Sequence, residues 1–434
     1  MSVGEASRCG AESLGPVFTG WAHLLLRAAR RRKLQRLFFV ARDGYLLQQV
    51  TVGLLKALGR DGEFDLAYLH LSRRATQLAA NPTIDRAGVT EAMAIRARTP
   101  TVASLLAYHG MAVEEFAALL HGLGLAPELR VKSTDHGASL LRHEAIRNLL
   151  ATESGRQRQA LLAYLEARGV LRDENSALID IGWRGSIQRN LARILTTNGH
   201  RRLPPWIYLG LWRDDSDANR LPVNAEGLLG DLRRGRTLRE SAPWQTAFLL
   251  EAACRKDEGS VLRFVLSNGR GMPELAPSDS PARLAERQSE PLSEALRKGI
   301  LDYIASSASA ARWERLDDEV LRQEAQDQLL RLAFQPTAAE IALGEALVHT
   351  ESHAPDWSTP LVLPRIAGPL SAPGQWLAGL ASPWRGAYVK ASGGWPLALA
   401  HRGLESLLVR MPPALRIAVR RAALVVAGND VPTT

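Results

Sequence analysis

Two stretches of the sequence decide its fold: Leu37-Phe38-Phe39-Val40-Ala41-Arg42-Asp43-Gly44-Tyr45 and Ala177-Leu178-Ile179-Asp180-Ile181-Gly182-Trp183-Arg184-Gly185-Ser186. Each begins with an apolar run of strand length, continues through a polar loop with glycine, and leads into residues at helical spacing. Residues 65–71 and 206–211 form two more apolar segments. Strands that alternate with helices predict an α/β fold with a largely parallel sheet flanked by helices. Both loops lie at the carboxyl ends of strands, where such sheets bind ligands.

The remainder of the chain is assigned to regions by its periodicity. Residues 20–265 are predicted to form the α/β domain, and residues 88–165 within it show the helical spacing of an insertion. Residues 272–291 are rich in Pro, Ser and Glu and are expected to form a linker or surface loop. Residues 266–434 are expected to be a mostly helical C-terminal region. A length of 434 residues agrees with two or three domains.

Composition narrows the class of partner and the compartment. The net charge of +9, from 54 Lys and Arg against 45 Asp and Glu, favours anionic partners, although an arginine-rich composition gives the same excess without any ligand. The basic residues are scattered and are not interleaved with aromatic residues, which argues against nucleic-acid binding. Cys9 and Cys254 alone cannot build a disulfide framework or a zinc cluster. With no targeting pattern and no apolar run of spanning length, a cytoplasmic protein is expected.

The loop after Asp180 has the outline of a phosphate cradle. Its glycines lie between a strand and a helix, so that backbone N–H groups and the helix N-terminus can meet an anion. Asp180 itself can hold sugar hydroxyls or Mg²⁺, and Ser186 can donate its hydroxyl to a phosphate. The alternative is a tight turn in which Ser186 merely caps the helix. The predicted ligand-binding residues of this loop are Gly182, Trp183, Arg184, Gly185 and Ser186.

Two other strand ends carry polar clusters. Arg42 offers a guanidinium for bidentate phosphate contact, Asp43 a carboxylate for a metal or a hydroxyl, and Gly44 close approach of the backbone. The alternative is an Asp that caps a helix beside a surface Arg. Another predicted strand ends in three further candidate residues, Ser72, Arg73 and Arg74. The alternative is that the two arginines are an isolated pair on the surface. Polar clusters at three strand ends together predict one shared functional site.

Two segments remain open to alternative interpretations. Residues 214–217, Asp-Asp-Ser-Asp, suit either a metal site or an exposed acidic loop. Residues 397–427 interleave apolar side chains with arginines and are interrupted at Pro412-Pro413, a pattern of a packed surface helix or of one that lies on an acidic membrane. The histidines show no zinc or nucleophile motif and receive no role.

The ordered motifs resemble a bacterial family found in polysaccharide gene clusters, many members of which carry a haloacid-dehalogenase domain ahead of this region. The likeness covers about residues 20–265 and is weaker at 336–349 and 382–384. No strand here ends in the D-x-D-x-[TV] pattern of that hydrolase, so its activity is not transferred. The shared segments are Phe39-Val40-Ala41-Arg42-Asp43-Gly44-Tyr45-Leu46, Leu71-Ser72-Arg73-Arg74, Ile179-Asp180-Ile181-Gly182-Trp183-Arg184-Gly185-Ser186-Ile187-Gln188, and Leu250-Glu251 through Gly259-Ser260-Val261.

The resemblance implies a domain like the type I phosphoribosyltransferases that adds ribofuranose to a bacterial surface polysaccharide such as an O-antigen or a capsule. It implies 5-phosphoribosyl diphosphate as the donor, Mg²⁺ as the cofactor, and a glycan hydroxyl as the acceptor. A separate phosphatase would then remove the 5-phosphate. A location in the cytoplasm, at the inner face of the membrane if the basic C-terminal segment docks there, fits this role.

The resemblance also implies roles for the candidate residues. Arg42, Arg73 and Arg74, with Mg²⁺ on Asp43, would neutralise the diphosphate. The loop of residues 182–186 would hold the 5-phosphate and Asp180 the ribose hydroxyls, while Asp43 and Glu251 are candidate general bases by residue type. Unlike familiar phosphoribosyltransferases, which place two adjacent acids before a Thr-Gly-rich loop, this chain has Ile181 after Asp180. The competing hypothesis is a non-catalytic scaffold for glycosyltransferases whose C-terminal region docks to a membrane or to other enzymes.

Overall fold

A five-stranded parallel sheet forms the centre of the protein. The computed structural model describes residues 1–84, 89, 101–111, 113–212, 224–351, 354–364, 379, 382–412 and 415. The strands follow the spatial order β2-β1-β3-β4-β5, and every neighbouring pair is parallel. This confirms the predicted α/β class. The strands are β1 Arg36–Val40, β2 Asp65–Leu69, β3 Ser176–Asp180, β4 Trp206–Leu211 and β5 Ala225–Asp231.

Helices cover both faces of the sheet. In β1, Leu37 and Phe39 point into the apolar core on one face, whereas Phe38 and Val40 point into the core on the other. Burial on both faces explains why this strand is an unbroken apolar run. The helices on the first face include α2 Gly15–Arg31 and α3 Gly44–Ala57, and those on the second include α4 Arg73–Ala80, α8 Glu144–Ala167 and α9 Ser186–Thr197.

The segment between β2 and β3 is helical and has an apolar core of its own. That core includes Leu105, Leu120 and Leu150. Of the predicted insertion, residues 88, 90–100 and 112 lie outside the described residues. The remaining elements of the insertion before α8 are α5 Val102–Tyr108, a 3-10 turn Val113–Phe116, α6 Ala117–Gly122 and α7 Thr134–Leu141.

The chain after β5 is mostly helical, as predicted, but the expected linker is wrong. Part of residues 272–291 lies in a β-hairpin and part in a long helix that begins at Pro281, where a missing N–H costs nothing. The polar composition indicated a surface loop, but Arg283 and Glu286 of this helix are buried as ion partners. The elements are α10 Ala242–Gln245, α11 Ala247–Cys254, β6 Val261–Ser267, β7 Arg270–Leu275, α12 Pro281–Ala305, α13 Ser307–Glu314, α14 Asp318–Phe334, α15 Ala338–Ala346, β8 Val348–Glu351, β9 Ala354–Pro360 and α16 Arg385–Arg410.

Residues from the N-terminal and the C-terminal parts of the described chain share one apolar core. It contains residues from both sides of position 265, such as Ala6, Phe39 and Ile300. The N-terminal residues reach it through α1 Val3–Cys9 and a π-helix, Gly10–Leu14. Gly299 of α12 lies so close to α1 that a Cβ there would collide with the carbonyl oxygen of Ser7. Among the described residues, no helix has both the length and the apolar character needed to cross a membrane.

Candidate functional site

The two motif loops meet at the point where the strand order reverses. The chain moves from β1 outward to β2 on one side, whereas β3, β4 and β5 follow on the other. Phe39 of β1 pairs with Ile179 of β3, so the two loops leave the sheet at the same level. The helices that follow, α3 and α9, then pack on opposite faces. A crevice at such a reversal is where open α/β sheets bind ligands; we call residues 41–44 and 181–185 the switch crevice.

Both helices of the switch crevice begin without a side-chain cap. Asp43 is the N-cap residue of α3 and Gly185 that of α9, and neither position makes a side-chain capping bond. Ser186 is already the first helical residue. The alternatives in which the side chains of Asp43 and Ser186 cap these helices are therefore wrong. The backbone N–H groups at both helix starts thus lack the usual side-chain acceptor at the N-cap, an arrangement that suits anions.

Glycine is required at two positions of the second loop. Gly185 has the left-handed backbone angles φ 64° and ψ 30°. Gly182 has a φ of 132°, and a Cβ there would collide with the carbonyl oxygen of Gly210 in β4. The loop continues the pairing with β4, because Gly210 N donates to Ile181 O at 3.1 Å. Each loop contains one cis peptide bond that does not precede proline, Ala41-Arg42 and Gly182-Trp183.

The predicted site acids Asp43, Asp180 and Glu251 lie close together at the switch crevice. Burial raises the pKa of Asp43 to about 7, the nearby Glu251 carboxylate adds to the rise, and the charges of Arg42 and Arg255 oppose it. Burial also raises the pKa of Asp180 well above its usual range, with a further contribution from Asp43, although the N–H groups of Ile181 and Gly182 bond its carboxylate. Carboxylates that share a poorly hydrated space in this way are typical of functional sites.

Glu251 connects this acid cluster with other parts of the chain. It lies on α11, and its Oε1 accepts a hydrogen bond from Trp183 Nε1 at 2.7 Å. Its Oε2 lies 3.7 Å from Nδ1 of His349 on β8. The C-terminal region therefore contributes His349 to the site, although no zinc or nucleophile motif surrounds this histidine in the sequence.

Arg42 is held inside the protein by a buried acid. Its Nη1 and Nη2 donate to the two carboxylate oxygens of Glu286 at 2.9 Å each. Glu286 also accepts from Arg283 and Thr350. Burial would raise the pKa of Glu286, but the charge and hydrogen bonds of Arg42, with Arg255 and Thr350, lower it to about 2. The bidentate face that the sequence assigned to phosphate is used by Glu286, so the contact of Arg42 with diphosphate stays a prediction.

Arg255 is a functional candidate that sequence reasoning missed. Its Nη1 lies 3.4 Å from Glu286 Oε1, and its charge acts on Asp43. No described residue accepts a hydrogen bond from its Nη2, although this atom is buried. A buried guanidinium nitrogen beside an acid cluster can donate to an anionic ligand.

Lys256 and Glu258 extend the site toward β2. Glu258 accepts from Tyr68 Oη at 2.6 Å and from Lys256 Nζ at 2.8 Å, and His70 Nε2 lies 3.6 Å away. Burial would raise the pKa of Glu258, but these three partners lower it to about 2. Lys256 Nζ also lies over the rings of Tyr68 and Tyr45, at 4.9 and 5.8 Å from their centres. Sequence reasoning did not single out this cluster, although the charged run Arg-Lys-Asp-Glu at 255–258 could have indicated it.

In the remaining strand-end cluster, Ser72 makes contacts that stabilise the fold. Ser72 caps α4 by accepting from Ala75 N at 2.9 Å and donates to Val261 O at 2.6 Å. Burial lowers the pKa of Arg74, which lies near Glu114 of the insertion and Glu274 of β7. Arg73 is exposed at the start of α4. The roles of Arg73 and Arg74 in binding stay predictions.

Comparison with protein-family models and with curated proteins gave no match. The resemblance to the polysaccharide-cluster family therefore rests on the four ordered motifs. Three of them contribute acids or loops to the switch crevice: residues 39–46, 179–188 and the segment that starts at Leu250.

Asp43 is the residue best placed to hold a metal ion. Its carboxylate is half-buried at the start of α3 and makes no capping bond. Mg²⁺ is commonly held by one or two carboxylates together with substrate phosphates and water. Within the part of the chain that the structure describes, no three His, Cys, Asp or Glu side chains form a metal site by themselves. The acidic residues 214–217 lie outside the described residues.

Proposed function

We propose that the protein transfers 5-phosphoribosyl from phosphoribosyl diphosphate to a sugar hydroxyl of a bacterial surface polysaccharide and releases diphosphate. The observation that carries this proposal is the switch crevice, where two helix starts without side-chain caps flank three carboxylates and the guanidinium of Arg255. The anion sites belong to two different loops, which suits a donor with a phosphate at each end.

The loops divide the donor between them. The loop of residues 182–186 and the N–H groups at the start of α9 fit the 5-phosphate, because Gly182 and Gly185 allow the backbone to approach closely. The β1 loop and Arg255 fit the diphosphate, and Asp43 would hold Mg²⁺ there. Asp180 ends β3 between the two loops, where its carboxylate oxygens can accept from the ribose hydroxyls.

Breaking the bond at C1 of the ribose creates positive charge on C1 and negative charge on the leaving diphosphate, and the site must stabilise both. The C1–O bond breaks and its electron pair leaves with diphosphate, so that C1 acquires oxocarbenium character. Bound Mg²⁺ would supply further positive charge to the leaving diphosphate. The acceptor oxygen forms the new bond to C1, and its proton passes to a carboxylate, for which Glu251 and Asp43 are the candidates. The product keeps its 5-phosphate, so a separate phosphatase is expected to act next.

The test is a transfer assay with purified protein, phosphoribosyl diphosphate, Mg²⁺ and oligosaccharide acceptors. We expect diphosphate release together with a gain of one phosphoribosyl unit in the mass of the acceptor. Asp180→Asn is expected to weaken donor binding at least about 10-fold, because an amide offers one acceptor oxygen where the carboxylate offers two. Asp65→Asn is the matched control, since Asp65 begins β2 at the opposite edge of the same sheet. Wild-type protein that fails to bind the donor in calorimetry would contradict the proposal.

A second candidate function, docking to a membrane surface, is favoured by α16. After a kink at Gly394, this helix exposes Trp395, Leu399 and Leu407, with 67%, 54% and 57% of their surfaces accessible. Their spacing places them on one side of the helix. Arg402 and Arg410 are also exposed, so that apolar and cationic groups suit an anionic lipid surface.

Vesicle sedimentation tests this second function. We expect the protein to sediment with phosphatidylglycerol vesicles and not with phosphatidylcholine vesicles, because the apolar side chains need help from lipid charge. Replacing Leu399 and Leu407 by Ser should reduce the bound fraction several-fold. Leu284→Ser on α12 removes a leucine elsewhere that is 48% exposed and should have no effect. Equal sedimentation of all variants would exclude docking through α16. Phosphoribosyl transfer in the assay above would exclude a purely non-catalytic scaffold.

A further inference from the structure

Three tryptophans form a cluster beside the acids of the switch crevice. Trp183 belongs to the loop after β3, Trp212 directly follows β4, and Trp244 lies on α10. The rings of Trp212 and Trp244 stack with centres 5.2 Å apart. The ring of Trp183 meets that of Trp244 edge-on at 6.1 Å.

The three rings differ in their exposure. Trp212 is buried and packs with Leu232 and Val409, so it forms the base of the cluster. Trp183 and Trp244 keep part of their surfaces open to solvent. The guanidinium of Arg184 is exposed, and its central carbon lies 6.0 Å from the centre of the Trp244 ring. The surface therefore combines aromatic rings with a hydrogen-bond donor, as sites for amphipathic ligands do.

The position of Trp183 is fixed from two directions. Its indole Nε1 donates to Glu251 at 2.7 Å, and its carbonyl oxygen accepts from Trp212 N at 2.7 Å. Gly210 makes room for the ring, because a Cβ at this position would lie 2.9 Å from it. A ring held in this way is preorganised for binding. A ligand that contacts the ring therefore lies near the carboxylate of Glu251.

We propose that Trp183, Trp244 and Arg184 form the acceptor subsite and bind a pyranose ring of the glycan. This inference rests on the proposed transferase function. One face of a pyranose carries mainly C–H groups, whose slightly positive hydrogens complement the electron-rich face of an indole. Its hydroxyls lie at the rim of the ring, where Arg184 can donate to one oxygen. A sugar in this position has another hydroxyl beside Glu251, which accepts the proton when that oxygen bonds to C1 of the ribose.

Steady-state kinetics of variants test the subsite. Trp244→Ala and Arg184→Ala are expected to raise the KM for the oligosaccharide acceptor about 10-fold or more, since each removes a contact made to the sugar. In Trp244→Ala, whose side chain lies outside the donor loop of residues 182–186, the KM for phosphoribosyl diphosphate should stay unchanged, which a general loss of structure would not allow. Trp244→Phe retains an aromatic ring and should give an intermediate value, and it serves if the alanine variant does not fold. Met272→Ala on β7 truncates an exposed apolar side chain elsewhere and should match the wild type.

A binding assay separates this inference from the proposed transferase function. Methyl β-D-galactopyranoside and methyl β-D-glucopyranoside are added to the protein without donor while indole fluorescence is recorded, with glucitol as the polyol that lacks a ring. A change that pyranosides cause, glucitol does not, and Trp244→Phe reduces would support the subsite even if no phosphoribosyl transfer occurs. Transfer activity with an acceptor KM that Trp244→Phe and Arg184→Ala both leave unchanged would overturn the subsite and leave the transferase proposal standing.

Discussion

Replacing Glu286 by glutamine is expected to lower the free energy of unfolding by about 3–5 kcal/mol. The side chain of Glu286 is 2% exposed and faces the guanidinium groups of Arg42, Arg255 and Arg283. An amide of the same size keeps the shape but removes the negative charge. The buried guanidinium groups then lose their counter-charge, and the cost of burying them is no longer offset.

Urea unfolding followed by circular dichroism measures this effect. Glu63→Gln is the matched control, because Glu63 also binds an arginine, Arg30, through two hydrogen bonds but at an exposed site. Exposed pairs contribute little, so the control should change stability by less than about 1 kcal/mol. Similar losses in the two variants would show that burial of the Glu286 network adds nothing.

The effect of Glu286 should also depend on pH in a defined direction. Its pKa is lowered from 4.5 to about 2 in the folded protein. A lowered pKa means that the stabilisation is fully present above about pH 4.5 and is lost as the pH falls toward about 2. The difference in the free energy of unfolding between the wild type and Glu286→Gln should therefore become smaller as the pH falls from about 4.5 to about 2. Because Arg42 lies in the β1 loop, the same variant is expected to raise the KM for the donor.

The central strands were predictable because their environment is uniform. Residues 37–40 are buried on both faces, and this produces an apolar run that no surface segment imitates. The fifth strand, Ala225–Asp231, was not predicted, because glycines dilute its apolar residues. Those glycines are needed for packing: a Cβ on Gly230 would collide with Pro243. Tertiary contacts set the sequence of this strand, and a local pattern cannot show them.

The acids of the site were predictable, but several of their partners were not. Asp43 and Asp180 follow strands that are neighbours in a parallel sheet, so their meeting follows from topology. Glu286 and His349 come from elements beyond residue 265 and reach the site only through tertiary packing. Glu286 also lies in a segment that composition assigned to a loop. A segment whose charged residues are buried as ion partners has the same composition as a segment whose charged residues are exposed. The sequence alone therefore could not show that Glu286 is buried.

Replacing Asp43 by asparagine is expected to abolish transfer and, in the same protein, to increase stability. Loss of the carboxylate removes the predicted Mg²⁺ ligand and a candidate base, so kcat/KM should fall at least about 100-fold. In the free protein, however, burial and Glu251 disfavour the ionised form and raise the pKa of Asp43 from 3.8 to about 7. A neutral amide avoids this cost, which predicts a gain of about 1–3 kcal/mol at pH 8.

The pH dependence of that gain distinguishes a strained carboxylate from a merely altered surface. Below about pH 4 both the folded and the unfolded wild type carry a protonated Asp43, so the variant should have no advantage. Between about pH 4 and 7 the carboxyl of Asp43 ionises in the unfolded protein but stays protonated in the folded protein, so the stability gained by asparagine should grow with pH. Above about pH 7 the carboxyl is ionised in both states, and the gain should become constant. Thermal unfolding across this range measures it, with Asp65→Asn as the exposed control. Loss of activity with a pH-independent loss of stability would mean that Asp43 supports the fold, whereas inactivity with a gain that follows this profile identifies a carboxylate kept for function at the expense of stability.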